Sequence, residues 1–236
     1  FTVNLTQGQM YQVLSTVDLS GSEIQSLNNG SGCKKIAVFN GSGKISIGCV
    51  NAGSSDNLYQ QMYPTSTWGK VYVTAPSINT ANTTGQYNFY RVFKSDPAAV
   101  VMLNGAIIPN AVFVNNQYAS LPASNEPSII EADMPIMVAQ YFTTQSCSGN
   151  GGLGDPEMIY LNPVEQTSSK VTLNSMQPVS GTNINQHFIN VILKTSAAAI
   201  NSFNIDGVGY AANFSAHPYA TGYSYARIQV SQGTHT

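Results

Sequence analysis

Apolar and polar residues alternate in short runs along most of this chain, at residues 2–5, 10–14, 36–39, 70–74, 88–93, 100–103, 111–114, 136–142, 170–173, 188–194, 202–205 and 225–230. Side chains on a strand point to opposite faces in turn, so runs of this kind predict half-buried β-strands. Clusters of Gly, Pro, Asn and Ser fall between them about every ten residues and read as turns. Asn40-Gly41-Ser42-Gly43 lies between the apolar segments 36–39 and 44–47 and predicts a hairpin there. No segment carries a 3.6-residue apolar period with caps, and the Ser-Ala-Ala-Ala run at 196–199 has room for one helical turn. Many short strands with frequent turn signals predict an all-β protein of β-sandwich type.

The runs also repeat. Ile36-Ala37-Val38-Phe39-Asn40-Gly41 matches Ile136-Met137-Val138-Ala139-Gln140-Tyr141, and each is followed by a Gly/Ser-rich loop with a cysteine. Asp56 and Pro64 match Asp155 and Pro163, Lys70-Val71-Tyr72-Val73 matches Lys170-Val171-Thr172-Leu173, and Val92-Phe93-Lys94-Ser95 matches Ile192-Leu193-Lys194-Thr195. Leu103-Asn104-Gly105 and Ile205-Asp206-Gly207 complete a series whose offsets stay between 99 and 102. Self-similarity at one period predicts two tandem, internally duplicated β-sandwiches, residues 1–110 and 111–236. Val3-Asn4-Leu5-Thr6-Gln7-Gly8-Gln9 is echoed by Ile228-Gln229-Val230-Ser231-Gln232-Gly233-Thr234, so the last strands are expected to open a further, truncated unit with an unpaired edge. The start at Phe1, without Met or a charged-then-apolar leader, reads as a fragment whose signal peptide, if there was one, is gone.

Composition narrows the function. Hydrophobic residues make up 42% of the 236, near the norm, but charged residues only 8%, against about a quarter in average globular chains. Polarity is therefore carried by Asn, Ser, Thr, Gln and Tyr. A formal charge of -2, with Lys34-Lys35 the one adjacent basic pair, argues against nucleic acid. No apolar run approaches the roughly 18 residues of a membrane-spanning helix.

Catalytic chemistry finds no foothold. His187, His217 and His235 are isolated, without the spacing of metal ligands, and neither a nucleophile elbow nor a phosphate loop is present. Glu131 and Asp133 would share one face of a strand, as paired acids do, but read better as a solvated edge that discourages aggregation. Asp56 and Asp155, at equivalent places in the repeat, fit turn caps better than calcium ligands. No catalytic residue, metal site or cofactor is expected. Cys33 and Cys49 flank the expected hairpin and are expected to form a disulfide, leaving Cys147 as a free loop thiol. Residues 149–154, rich in Gly, read as a flexible loop open to recognition.

Aromatic residues suit recognition better. Thirteen tyrosines include Tyr59, Tyr63, Tyr219, Tyr223 and Tyr225, set among Ser, Gly and Asn, a mixture that makes rigid contacts at low entropic cost. The expected ligand-binding residues are Tyr219, Tyr223 and Tyr225, followed by Tyr63 and Trp68; for each of them strand packing is the alternative, and Trp68 has the first core as its other destination. Asn4, Asn29, Asn40, Asn82 and Asn213 stand in Asn-x-Ser/Thr sequons.

Taken together, Ile36 to Gly41, Asp56-Asn57-Leu58-Tyr59-Gln60-Gln61-Met62-Tyr63-Pro64, Thr67-Trp68-Gly69-Lys70, Ala132-Asp133-Met134-Pro135 through Tyr141, and Gly154-Asp155-Pro156-Glu157-Met158 resemble the N-terminal domain family of IgGFc-binding proteins. That family also occurs in large bacterial surface proteins, including gliding-motility-associated ones of the Bacteroidetes type. The resemblance implies a non-enzymatic extracellular or cell-surface adhesion module of a larger protein. Its partners would be a glycan or protein ligand, with further domains or a neighbouring subunit at an exposed sheet edge. It carries over no ligand-contacting residue and does not by itself imply Fc binding. A structural shaft or filament subunit joined by edge strands is the rival expectation, and a polysaccharide-active hydrolase the third.

Overall fold

The computed structural model describes residues 1–28, 30, 32, 34–48, 55–77, 87–147, 155–177, 181 and 184–236. It divides the chain into two compact units, Phe1–Ile36 and Ala37–Thr236.

Among its described residues the first unit forms no helix or strand and shows local turns, such as Gln9 N–H to the Thr6 carbonyl at 3.1 Å and Thr6 N–H to Gln9 Oε1 at 2.8 Å. The strands expected at 2–5 and 10–14 do not form there. Val3, Leu5, Met10, Tyr11, Val13 and Leu14 are exposed instead. Alternation alone does not make a strand, because a single extended segment has no partner for its backbone N–H and C=O groups.

In the second unit, β1 (Phe39–Ile45) pairs antiparallel with β2 (Asp56–Gln61). The expected hairpin is overturned, since Asn40-Gly41-Ser42-Gly43 runs inside β1. Gly41 serves a close backbone approach: a Cβ there would lie 1.9 Å from the Leu58 carbonyl oxygen. The strands that follow are β3 (Gly69–Thr74), β4 (Asn88–Lys94), β5 (Val101–Leu103), β6 (Ala106–Ile107), β7 (Tyr118–Ser120), β8 (Ser128–Phe142) and β9 (Glu157–Tyr160), which together form one seven-stranded sheet.

The sheet is organised by β8. Its first half lies between β3 and β5, with Glu131 opposite both Val71 and Met102; its second half, Ile136 onward, lies between β4 and β9. Between the halves the β3 register jumps from Val71↔Glu131 to Gly69↔Ile136. Pro135 lies in this break, where a residue without an N–H costs the ladder nothing. Glu131 and Asp133 thus sit on or beside a central strand rather than a solvated edge. Asp133 Oδ1 accepts the Val100 N–H at 2.8 Å, and its carbonyl accepts Lys70 Nζ at 2.6 Å.

The chain continues through β10 (Leu173–Ser175), β11 (His187–Lys194), helix α1 (Ala197–Ser202), the hairpin β12 (Asn204–Ile205) and β13 (Val208–Gly209), then β14 (Ser215–Ala216), β15 (Tyr223–Val230) and β16 (Gly233–His235). Ser196 Oγ caps α1 by accepting the Ala199 N–H at 3.0 Å, which extends the expected single turn to six residues. The run expected as a strand at 111–114 is a 3₁₀ turn, Asn110–Val112, followed by Asn115 and Asn116 at φ 51° and 57°. The terminal residues, expected to open a further unit, pair within this one: β15 with β11 and β14, and β16 with β10.

Alternating inward residues build the cores. Tyr72, Tyr90, Val92, Val101, Phe113, Ile130, Ile136 and Val138 make the largest cluster. Ile205, Ala226, Ile228 and Val230, with Ile189 and Val191 against them, make another around β11 and β15.

Candidate functional site

Residues 217–222 connect β14 to β15, and His217 determines their shape. Its backbone N–H donates to the Tyr223 carbonyl at 2.9 Å, and Tyr223 N–H donates to Ala220 at 3.0 Å. The ring turns inward and is 5% exposed. Its Nδ1 accepts the backbone N–H groups of Ala220 at 2.8 Å and Tyr219 at 3.2 Å. A nitrogen that accepts two bonds is unprotonated, so Nε2 carries the hydrogen and donates it to the Thr74 carbonyl at 3.2 Å. Burial holds the His217 pKa below its ordinary value against the opposing pull of Thr74. The loop is thereby fastened to the end of β3, with Ala220 packed against Val73 and Ile129.

This clamp presents Tyr219 to solvent, with its side chain 52% exposed. Tyr223 is half-buried on the Val73 cluster, and Tyr225 is half-buried with its ring edge-on to His217, centroids 6.0 Å apart. Tyr63 and Trp68 are also brought together, for Trp68 Nε1 donates to the Tyr63 carbonyl at 3.3 Å. Both pack against the cluster of Leu58, Met137, Ala139, Met158 and Tyr160, so their main part is packing. Tyr219 is therefore the most accessible of the five expected ligand-binding residues. An exposed aromatic pair escaped the sequence reading: Phe39 and Tyr59 stack at 5.4 Å with ring planes 4° apart. Tyr59 was legible as an accessible aromatic, but its partner depends on a β1–β2 pairing that no local signal announces.

Several charged groups make contacts within the fold. Lys94, 7% exposed, donates to Asn110 Oδ1 at 3.0 Å and lies 4.0 Å from the Phe113 ring centroid, and burial lowers its pKa. Asp56, expected to cap a turn, opens strand β2 opposite Ile45, and its Oδ1 accepts the N–H of its neighbour Asn57 at 2.7 Å. Burial and the adjacent Asp56 carboxyl raise the Asp155 pKa, so the two repeat-equivalent aspartates are neighbours in space. His235 Nδ1 meets Asp206 Oδ2 at 2.7 Å; this bond raises the His235 pKa and lowers that of Asp206. No group of three or more metal-ligating side chains occurs among the described residues.

Cys147, expected to be free, is disulfide-bonded. Cys33 and Cys49, expected to pair with one another, lie outside the described residues, as does the glycine loop at 149–154.

The chain belongs to the IgGFc binding protein family, which it matches over residues 1–236. No similar curated protein and no similar solved structure was found. Among the described residues no helix is long and apolar enough to cross a membrane.

Proposed function

We propose that the chain is a non-enzymatic extracellular recognition or adhesion module of a larger surface or secreted protein, and that it displays Tyr219 and the surrounding loop to a glycan or protein ligand. The observation that carries this reading is the His217 clamp, which holds an exposed tyrosine on an ordered loop and so lowers the entropy lost on binding. Family membership supports the binding role. The test is retention of the folded chain on immobilised glycans, mucins and immunoglobulin, with heat-denatured chain as control. Selective retention that Tyr219→Ala weakens roughly tenfold or more supports the reading. Retention equal to that of denatured chain, or indifferent to Tyr219→Ala, refutes it.

The module is a tandem duplication in this reading. Phe39↔Gln61 in β1–β2 corresponds to Ala139↔Tyr160 in β8–β9, and Met62 N–H to Val38 carbonyl at 2.8 Å corresponds to Leu161 N–H to Val138 carbonyl at 2.9 Å. Two hairpins turn on Asn104-Gly105 (φ 52° and 81°) and Asp206-Gly207 (φ 54° and 80°). Each turn residue then clasps a later strand the same way. Asn104 N–H donates to the Ile129 carbonyl while its Oδ1 accepts the Ile129 N–H, and Asp206 does both with Thr236, every bond being 2.9 Å. The repeats share β8, whose first half closes one while its second half opens the next. The division expected near residue 110 would instead separate β4 from its partner β7.

A second reading, a structural subunit joined by edge pairing, is favoured by a different observation: β1 and β11 each have one edge without a backbone partner among the described residues.

A further inference from the structure

Backbone bonding determines which edge of each strand is open. In an antiparallel ladder alternate residues direct both N–H and C=O to the same neighbour. On β4 the even residues face β7: Lys94 N–H donates to Gln117 at 2.8 Å, and the Tyr90 carbonyl accepts Leu121 N–H at 2.8 Å. The odd residues Phe89, Arg91 and Phe93 therefore face β8, opposite Tyr141, Ala139 and Met137. The strands there run in the order β7, β4, second half of β8, β9.

The same pattern is present in two separated halves. On β11 the odd residues face β15, since Thr195 N–H donates to Gly222 at 2.7 Å in the register that pairs Lys194 with Tyr223. Phe188, Asn190 and Ile192 direct their backbone groups to the other side, where no described strand receives them. On β1 the even residues face β2, because the Val38 carbonyl accepts Met62 N–H. Phe39 and Gly41 direct theirs outward, again to no described partner. The core faces set the equivalence of the two strands: Tyr90 and Val92 of β4 correspond to Ile189 and Val191 of β11, an offset of 99 that moves the sequence match of Val92 with Ile192 by one residue. In that register the pair β15–β11 reproduces β7–β4, and β1–β2 reproduces the second half of β8 with β9.

We infer that the open edge of β11 receives the open edge of β1 from a second copy of this chain, so that copies join head to tail. The junction repeats β4 on β8, with Val191 opposite Val38 where Val92 stands opposite Val138, and Asn190 opposite Phe39 where Arg91 stands opposite Ala139. This inference rests on reading the chain as a duplication. The partner is a second copy because β1 has the open edge, the antiparallel sense and the sequence match to the occupant of the equivalent position, Ile136 to Tyr141. The contact is heterologous: each copy spends one edge and keeps the other, so association continues beyond a dimer.

Proline supplies the test. Phe39→Pro and Phe188→Pro each remove one outward N–H and none of the N–H groups bonded inside the unit, so each variant retains its own ladder. Circular dichroism melts verify that both fold. Sedimentation equilibrium of the unaltered chain is expected to show mass rising with concentration through dimer to higher species. Either proline variant alone is expected to stay at monomer mass. Mixed, the two are expected to form a one-to-one dimer and stop, since Phe39→Pro still offers β11 and Phe188→Pro still offers β1. A chain that is monomeric at every concentration overturns the inference, as does association that both folded variants retain. A monomer that still binds ligand through Tyr219 refutes the assembly and leaves recognition standing; assembly without ligand retention does the reverse.

Discussion

Replacing His217 with alanine tests the link between the clamp and the loop it presents. The substitution leaves the Ala220 N–H and the Thr74 carbonyl without their partner, in residues 2% and 1% exposed, while the Tyr219 N–H lies nearer to water. A buried polar group left unsatisfied costs about 1–3 kcal/mol, so two of them place the loss at roughly 2–6 kcal/mol. That is a large share of the 5–15 kcal/mol that holds an ordinary domain together. Urea unfolding at pH 7.5 measures it, and amide hydrogen exchange at Ala220 reports whether the loop opens. His217→Asn separates the two parts, because an Asn Oδ1 accepts N–H groups two and three residues on but does not reach Thr74. It should recover part of the loss together with Ala220 protection. The pH dependence carries a definite sign. The folded pKa lies below the ordinary 6.5, so the unfolded chain takes up the proton first as pH falls. The contribution of His217 is complete above about pH 6.5 and is lost as pH falls from there through the folded value, and neither variant should show this component. An alanine variant as stable as the parent at pH 7.5, with unchanged exchange at Ala220, would refute the reasoning.

Three further substitutions probe other parts of the fold. Cys147→Ser removes a disulfide, a change that typically costs about 2–5 kcal/mol; equal urea midpoints for parent and variant under non-reducing conditions would contradict the bond. Asp206→Asn keeps an acceptor for Thr236 N–H, as Asn104 does for Ile129, and removes only the charge facing His235. With the Asp206 pKa lowered and the His235 pKa raised, the pair's stabilisation is lost as pH falls through the lowered value and as it rises through the raised one, so the variant should be weaker mainly between about pH 4 and 6.5 in melts across pH. Gly41→Ala drives a methyl into the Leu58 carbonyl and should cost about 1–3 kcal/mol, whereas Gly43→Ala, with open space around its added carbon, should cost well under 1 kcal/mol; equal effects in urea unfolding would argue against the close approach.

Local alternation was enough to locate β3, β4, β5, β11, β15 and the second half of β8, since each has inward residues at a period of two and a chemistry suited to a half-buried face. The internal repeat was likewise visible as a series of matched segments at nearly constant offset. Strand β2 was not, because Asp-Asn-Leu-Tyr-Gln-Gln is polar and buries only Leu58 of its six residues; its pairing with β1 supplies the rest. Residues 2–5 and 10–14 show the converse, with suitable alternation and no partner to bond. Gly41 looked like a turn residue and proved to be a point of backbone contact, a distinction set by the Leu58 carbonyl.

The loop at 217–222 divides in the same way. Its tyrosines, glycine and small polar neighbours were readable as recognition chemistry, and Tyr219 was among the residues expected. Its fastening was not readable, for the His217 ring reaches Thr74 across 143 positions of sequence, and an isolated histidine gives no sign of such a partner. By itself, then, the sequence determined the β class, the turn-rich rhythm, the series of matched segments and the aromatic side chains on offer, because these follow from each residue and its near neighbours. The tertiary structure alone decided which strands pair, that one long strand takes β3 and β5 along its first half and β4 and β9 along its second, which edges remain open among the described residues and which tyrosine is accessible, because backbone bonds and burial depend on segments that folding brings together from far along the chain.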